Sequence, residues 1–168
     1  VKINILKLKN APGERLTFNF SKELAALELG GQVFRFVAPV SASGEVVNRR
    51  QLFHVKGETR ATVRTGCTYC LEPFELSLHG RLDEVYARDG ELSGSDAEII
   101  GFDGDIINVE PEVIKSLVLE IPMRLACSPD CRGLCQRCGA NLNVQTCDCQ
   151  VEEIDPRLAI LKNYINKF

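Results

Sequence analysis

Six of the chain's eight cysteines fall between Cys127 and Cys149, and no other feature of the sequence restricts the fold so tightly. They are Cys127, Cys131, Cys135, Cys138, Cys147 and Cys149; the remaining pair, Cys67 and Cys70, stands apart in C-T-Y-C. A Cys-x-x-Cys turn presents two sulfurs to one point, and a second short pair completes a tetrahedron around a soft cation. C-Q-R-C-G (Cys135 to Gly139) has the form of a zinc-ribbon knuckle, with Gly139 free to take positive φ. C-D-C (Cys147 to Cys149) returns two more sulfurs on a tighter spacer than usual. The sequence therefore predicts a C-terminal segment folded by zinc.

Two partitions are open. In one, Cys135, Cys138, Cys147 and Cys149 form one site, while Cys67 and Cys70 join Cys127 and Cys131 at a second that clips the knuckle to the body. In the other, a single C-terminal zinc leaves Cys67 and Cys70 as ordinary buried thiols. In either case the metal is structural, because four thiolates leave no position for water and make the ion a poor Lewis acid. The two histidines, His54 and His79, sit in strand patterns and are not expected as ligands. A thiol-redox role for C-T-Y-C is the third reading of the cysteines, but the motif does not sit where a strand feeds a helix.

The 168 residues suffice for one domain with a small appendage. Hydrophobic content of 45% and charged content of 26% are ordinary for a globular protein. No apolar run approaches the roughly 20 residues that span a bilayer. Val1 to Asn10 lacks the apolar core of a secretory signal. The expected setting is a reducing cytoplasm, where cysteines bind metal in preference to pairing as disulfides. Net charge is −3, which excludes polyanion binding by bulk charge. Its distribution is uneven: Arg49, Arg50, Lys56, Arg60 and Arg64 oppose two acids between Gly44 and Gly66, whereas ten acids oppose two arginines between Arg81 and Glu112.

Period-two alternation predicts strands at Val1 to Ile5, Leu16 to Phe20, from Phe34, over Gln51 to Lys56 and Arg60 to Thr65, and most clearly over Phe74 to Leu82. One-sided alternation suits antiparallel pairing. Lys22 to Leu29 reads as a short run of helix formers stopped by Gly30 and Gly31. Ala87 to Ala97 reads as an acidic loop, and Ile99 to Ile107 as a further strand or hairpin. Glu110 to Ile121 is the best helix, with Pro111 in its first turn, Pro122 as its stop, and Val113, Ile114, Leu117, Val118 and Ile121 on one face. A last helix is expected from Asp155, with Leu158, Leu161, Ile165 and Phe168 docked on the body. The fold class is thus α+β: a predominantly antiparallel β body with one long helix, a Cys-rich zinc knuckle and a short terminal helix. The expected divisions are 1–126, 127–150 and 151–168. No phosphate-binding loop, nucleophile elbow or metalloprotease motif occurs, so neither an enzyme nor a small-molecule substrate is expected.

The order of these parts resembles the YceD-like family, named for accumulation of large-subunit ribosomal RNA. The resemblance lies in C-T-Y-C-L-E-P-F (Cys67 to Phe74), L-E-I-P-M (Leu119 to Met123), C-S-P-D-C-R-G-L-C-Q-R-C-G-A-N-L-N (Cys127 to Asn143), C-D-C, and D-P-R-L-A-I-L-K (Asp155 to Lys162). Two departures stand out: Tyr69 replaces the Arg usual in the first motif, and Gln136 replaces a Pro. Some members lack the C-terminal cysteines, so the knuckle would reinforce the fold rather than carry the shared function. The resemblance implies a non-enzymatic factor supporting the large ribosomal subunit or its RNA, with ribosomal RNA or a ribosomal protein as partner. Candidate phosphate contacts are Arg49, Arg50, Lys56, Arg60 and Arg64, extended by Arg132 and Arg137 on the knuckle, with Tyr69 as a stacking residue. The competing reading is a zinc-containing protein–protein adaptor without a ribosomal role.

Overall fold

The computed structural model describes residues 1–9, 11–50, 52–88 and 99–149. Among them are nine strands and one helix: β1 (Lys2–Asn4), β2 (Arg15–Lys22), β3 (Leu27–Leu29), β4 (Gln32–Phe36), β5 (Val40–Arg49), β6 (Leu52–Gly66), β7 (Pro73–Arg88), β8 (Ile99–Phe102), β9 (Ile106–Asn108) and α1 (Glu110–Leu119). The body is a mostly antiparallel sheet built on the long hairpin β6–β7, which pairs from Phe53↔Tyr86 to Gly66↔Pro73. The other edge of β6 takes β5 along its first half and β4 near its end; β2 flanks β5, and β3 flanks β4. A separate two-stranded sheet joins β1 to β9.

Strict alternation decides which face is buried. Phe53, Val55, Thr59, Ala61, Val63 and Thr65 of β6 point inward beside Leu78, Gly80, Leu82 and Tyr86 of β7. Two contiguous cores result. One gathers Ile3, Ile5, Leu8, Val46, Phe53, Tyr86 and Ile107 where the small sheet covers the larger one. The other gathers Phe34, Val40, Val63, Leu78, Leu82, Val113, Leu117 and Leu125 under α1. The helix is fixed centrally by a buried 2.8 Å hydrogen bond between the Thr59 and Ser116 hydroxyls.

Several expectations need correction. The helix is not long: it has ten residues and ends at Leu119 rather than Ile121, because Pro122 pushes the residue before it out of the α region. Lys22 to Leu29 is not helical. Gly30 and Gly31, at φ 57° and 78°, form the two-residue turn of the β3–β4 hairpin, a conformation that needs positive φ at both positions. Of the two readings of Ile99 to Ile107, strand holds and hairpin does not: β8 runs parallel to β7, while β9 leaves for β1. Ala87 and Arg88 belong to β7, and the remainder of the expected acidic loop, like the terminal helix, lies outside the described residues. Val40–Arg49 was not recognised as a strand, since its small and polar residues dilute the alternation of Val40, Ala42 and Val46.

Candidate metal centres

Cys67 to Cys70 forms the tip of the β6–β7 hairpin. The Leu71 N–H donates to the Cys67 carbonyl at 3.0 Å, and the Cys67 N–H to that of Glu72 at 2.9 Å, closing a tight knuckle. The segment after α1 is then pinned to this tip: Leu125, buried in the core, accepts hydrogen bonds from the Thr68 N–H at 2.8 Å and the Thr68 hydroxyl at 2.9 Å. Cys127 and Cys131 are thereby delivered to Cys67 and Cys70. The sulfurs of Cys67 and Cys131 lie 3.8 Å apart, and those of Cys70 and Cys127 3.6 Å apart.

The second group repeats the design. The Gly139 N–H donates to the Cys135 carbonyl at 2.9 Å, with Gly139 at φ 72°; Leu71 occupies the matching position of the first knuckle at φ 64°. A side chain pays for that left-handed conformation with about 1–2 kcal/mol of strain, which Gly139 escapes. Cys147 and Cys149 complete the group.

All eight cysteines are thus collected into two sets of four, Cys67–Cys70–Cys127–Cys131 and Cys135–Cys138–Cys147–Cys149, with the sulfurs of each set within 4.8 Å of one another. Metal–sulfur bonds of about 2.3 Å in a tetrahedron place sulfurs about 3.8 Å apart. The residues present therefore fit a thiophilic ion in each set. The cysteines are free rather than paired as disulfides.

Electrostatics agrees with the geometry. Burial raises the Cys67 thiol, but the backbone N–H groups of Cys70, Cys127 and Tyr69 outweigh it and bring it down to about 6. Backbone N–H groups of Cys138 and Arg137 do the same for Cys135, also to about 6. Conversely, the Cys131 and Cys70 thiols push Cys127 up to about 12, and the Cys138 thiol foremost pushes Cys149 to about 12. Four thiolates cannot ionise together at this separation unless a cation sits among them. Metal uptake therefore expels protons, and acid favours the metal-free form. Dialysis at pH 5 should strip metal that dialysis at pH 7.5 retains, with content read by atomic emission; equal content at both pH values would contradict thiolate ligation.

Asn141 and Asn143 were not foreseen as part of the site. Asn143 Nδ2 donates to the Cys131 sulfur at 3.4 Å, and Asn143 Oδ1 accepts the Arg132 N–H at 2.8 Å. Asn141 Oδ1 in turn accepts the Asn143 N–H at 3.0 Å. The N-L-N motif thus leaves the second knuckle and braces a ligand of the first group. Its signal was the position of two amide side chains within five residues of Cys138, since ligand sulfurs commonly take outer hydrogen bonds.

The candidate phosphate contacts do not form one surface. Arg49 and Arg50 stand exposed at the end of β6 opposite the cysteines. Lys56, Arg60 and Arg64 share the outer face of β6, each beside a carboxylate: Asp83 at 3.1 Å, Glu58 at 3.0 Å and Glu75 at 2.7 Å. Arg132, next to Cys131 of the first set, and Arg137, within the second knuckle, are both exposed. One face of the half-exposed Tyr69 ring is covered by the Arg124 guanidinium, 4.5 Å from its centre.

No solved structure matches the chain. It is 28% identical over 184 residues to the chloroplastic YCED homolog 1 of Arabidopsis thaliana, described as a large ribosomal RNA subunit accumulation protein, covering 89% of this chain and 57% of the relative. It is likewise 28% identical over 158 residues to the Zea mays homolog, covering 74% and 54%. The chain thus spans little more than half the length of these relatives. The family model for the large ribosomal RNA subunit accumulation protein YceD matches residues 55–164, which include most of the β6–β7 hairpin, the helix and all eight cysteines, and the chain therefore belongs to the YceD family.

Proposed function

We propose that this chain is a non-enzymatic factor supporting accumulation of large-subunit ribosomal RNA, stabilised by two structural zinc ions and acting in the cytoplasm on ribosomal RNA. The observation that carries the structural part is the pair of four-sulfur sets, one of which ties the sheet to the tail. Zinc is the ion favoured by four cysteine ligands in tetrahedral array, and a closed shell of that kind serves folding rather than catalysis. Family membership supports the ribosomal part. RNA is favoured as partner by the outer face of the hairpin, where Arg60, Arg64 and Arg81 project from adjacent strands. Arg124, stacked on Tyr69, supplies a guanidinium beside the residue that replaces the family's usual arginine.

Affinity capture of the tagged full-length protein under native conditions should recover large-subunit ribosomal RNA, and a strain lacking it should show a reduced large-subunit peak on sedimentation. Recovery of ribosomal proteins after nuclease treatment would transfer the role to a protein contact. Normal subunits together with neither class of molecule in the capture would leave only an adaptor without a ribosomal role.

A further inference from the structure

A cleft of about 410 Å3 is lined by Glu58, Thr59 and Arg60 of β6, by His79, Gly80 and Arg81 of β7, and by Glu120. Arg60 and His79 face each other across the strand pair, as do Glu58 and Arg81. Glu120, at the C-terminal cap of α1, lines the same cleft. Arg60 reaches Glu58 at 3.0 Å, while Arg81 has no carboxylate partner among the described residues. On the side away from β6, β7 meets β8 only at Val85 to Arg88, so among the described residues its edge is unpaired beside the cleft. Some backbone N–H groups of that edge are free to donate.

This arrangement has two chemically different sides. Two guanidiniums and the edge amides favour an anion. The Glu58 and Glu120 carboxylates, at the negative end of a helix that carries no basic residue in its last turn, favour hydrogen-bond donors. A simple anion would satisfy one side and be repelled by the other. A ribonucleotide satisfies both, offering a phosphate to the arginines and a 2′-hydroxyl or base N–H to the carboxylates. The volume lies in the range of small-ligand clefts, about 300–1,000 Å3, and suits one nucleotide rather than a helix. Duplex RNA would also hide the base edges that the carboxylates could meet.

We infer that the cleft between Arg60, Arg81 and Glu120 is a binding site for a single-stranded RNA nucleotide. This inference rests on the RNA reading of the function and narrows it, because it gives the contact to Arg60 and Arg81 and withdraws it from Arg49 and Arg50. His79, read from the sequence as an ordinary strand residue, lies beside the phosphate position.

The test is titration of the zinc-loaded full chain into a fluorescent single-stranded RNA 12-mer, followed by anisotropy at several salt concentrations. The double variant R60A/R81A should bind at least ten-fold more weakly and lose about one phosphate's share, ~0.7, from the slope of log affinity against log salt. R49A/R50A should stay within two-fold of wild type. The DNA 12-mer of the same sequence should bind more weakly than RNA, and E120Q should shrink that difference. Zinc content and melting temperature, unchanged in all variants because these side chains are exposed, separate a lost contact from a lost fold. If R60A/R81A binds as tightly as wild type, the cleft is overturned while the RNA reading stands. If the wild-type chain binds no RNA, or binds an acidic peptide in its place, both fall.

Discussion

With zinc in both four-sulfur sets, as proposed, replacing Cys67 by Ser should remove one of the two ions and lower the melting temperature by roughly 10–15 °C. Cys67 is 1% exposed at the tip of the central hairpin and belongs to the set that also holds Cys127 and Cys131 from the tail. Its sulfur accepts backbone N–H groups of Tyr69 and Cys127, each at 3.4 Å, so the same atom organises both segments. Structural zinc contributes about 10–16 kcal/mol in peptides that have little other core. Here two apolar cores bury side chains of the sheet and α1 in addition to the metal sets, so the loss should be nearer 3–5 kcal/mol, at about 2–4 °C per kcal/mol for a chain of this size. Cys149→Ser gives the contrast. Its set contains no ligand from the sheet, so one ion should again be lost while the melting of the body moves by only about 1–2 °C. Native mass spectrometry gives the ion count and calorimetry the transition. Equal destabilisation by the two variants would show that the first set does not clip the tail to the body.

This asymmetry between the sets separates what the sequence discloses from what folding adds. Short-range features were legible. The Cys-x-x-Cys turns, the alternation of Phe74 to Leu82 and the proline-bounded helix each depend on neighbours within a few residues, and each appears at or near the expected place. Pairing over long distances was legible only where chemistry restricts it: Cys67 and Cys70 meet Cys127 and Cys131 across some sixty residues because sulfurs have few alternative uses together. Elsewhere context prevailed over propensity. Leu27–Leu29 is a strand because the hairpin at Gly30 and Gly31 pairs it with β4, although its residues also suit a helix. The cleft beside Arg81 depends on segments brought together by the fold, and no spacing in the chain announces it.

Gly80→Ala should be among the most disruptive single-methyl changes in the molecule. Gly80 faces inward from β7 at the point where α1 crosses the sheet. A Cβ there would lie 2.5 Å from the Thr59 hydroxyl oxygen and 2.8 Å from the carbonyl carbon and oxygen of Ser116. The hydroxyl could turn aside, but the Ser116 backbone belongs to the helix and cannot move alone. Lifting α1 would draw Val113 and Leu117 from the core and break the Thr59–Ser116 hydrogen bond in a dry setting. The expected cost is about 3 kcal/mol or more. Since the chain runs from α1 through Leu125 to Cys127, the displacement should also weaken the first metal set, so zinc should leave G80A at lower chelator concentration than wild type. T59A in the same chain should restore little, because the shorter contact is relieved while the backbone clash persists. Gly104→Ala, with φ 75° and no atom within 4 Å of its Cβ, should cost only the conformational strain, about 1–2 kcal/mol, and leave zinc retention unchanged. Full rescue of G80A by T59A would mean that the helix backbone is not the obstacle and that α1 adjusts more freely than its packing implies.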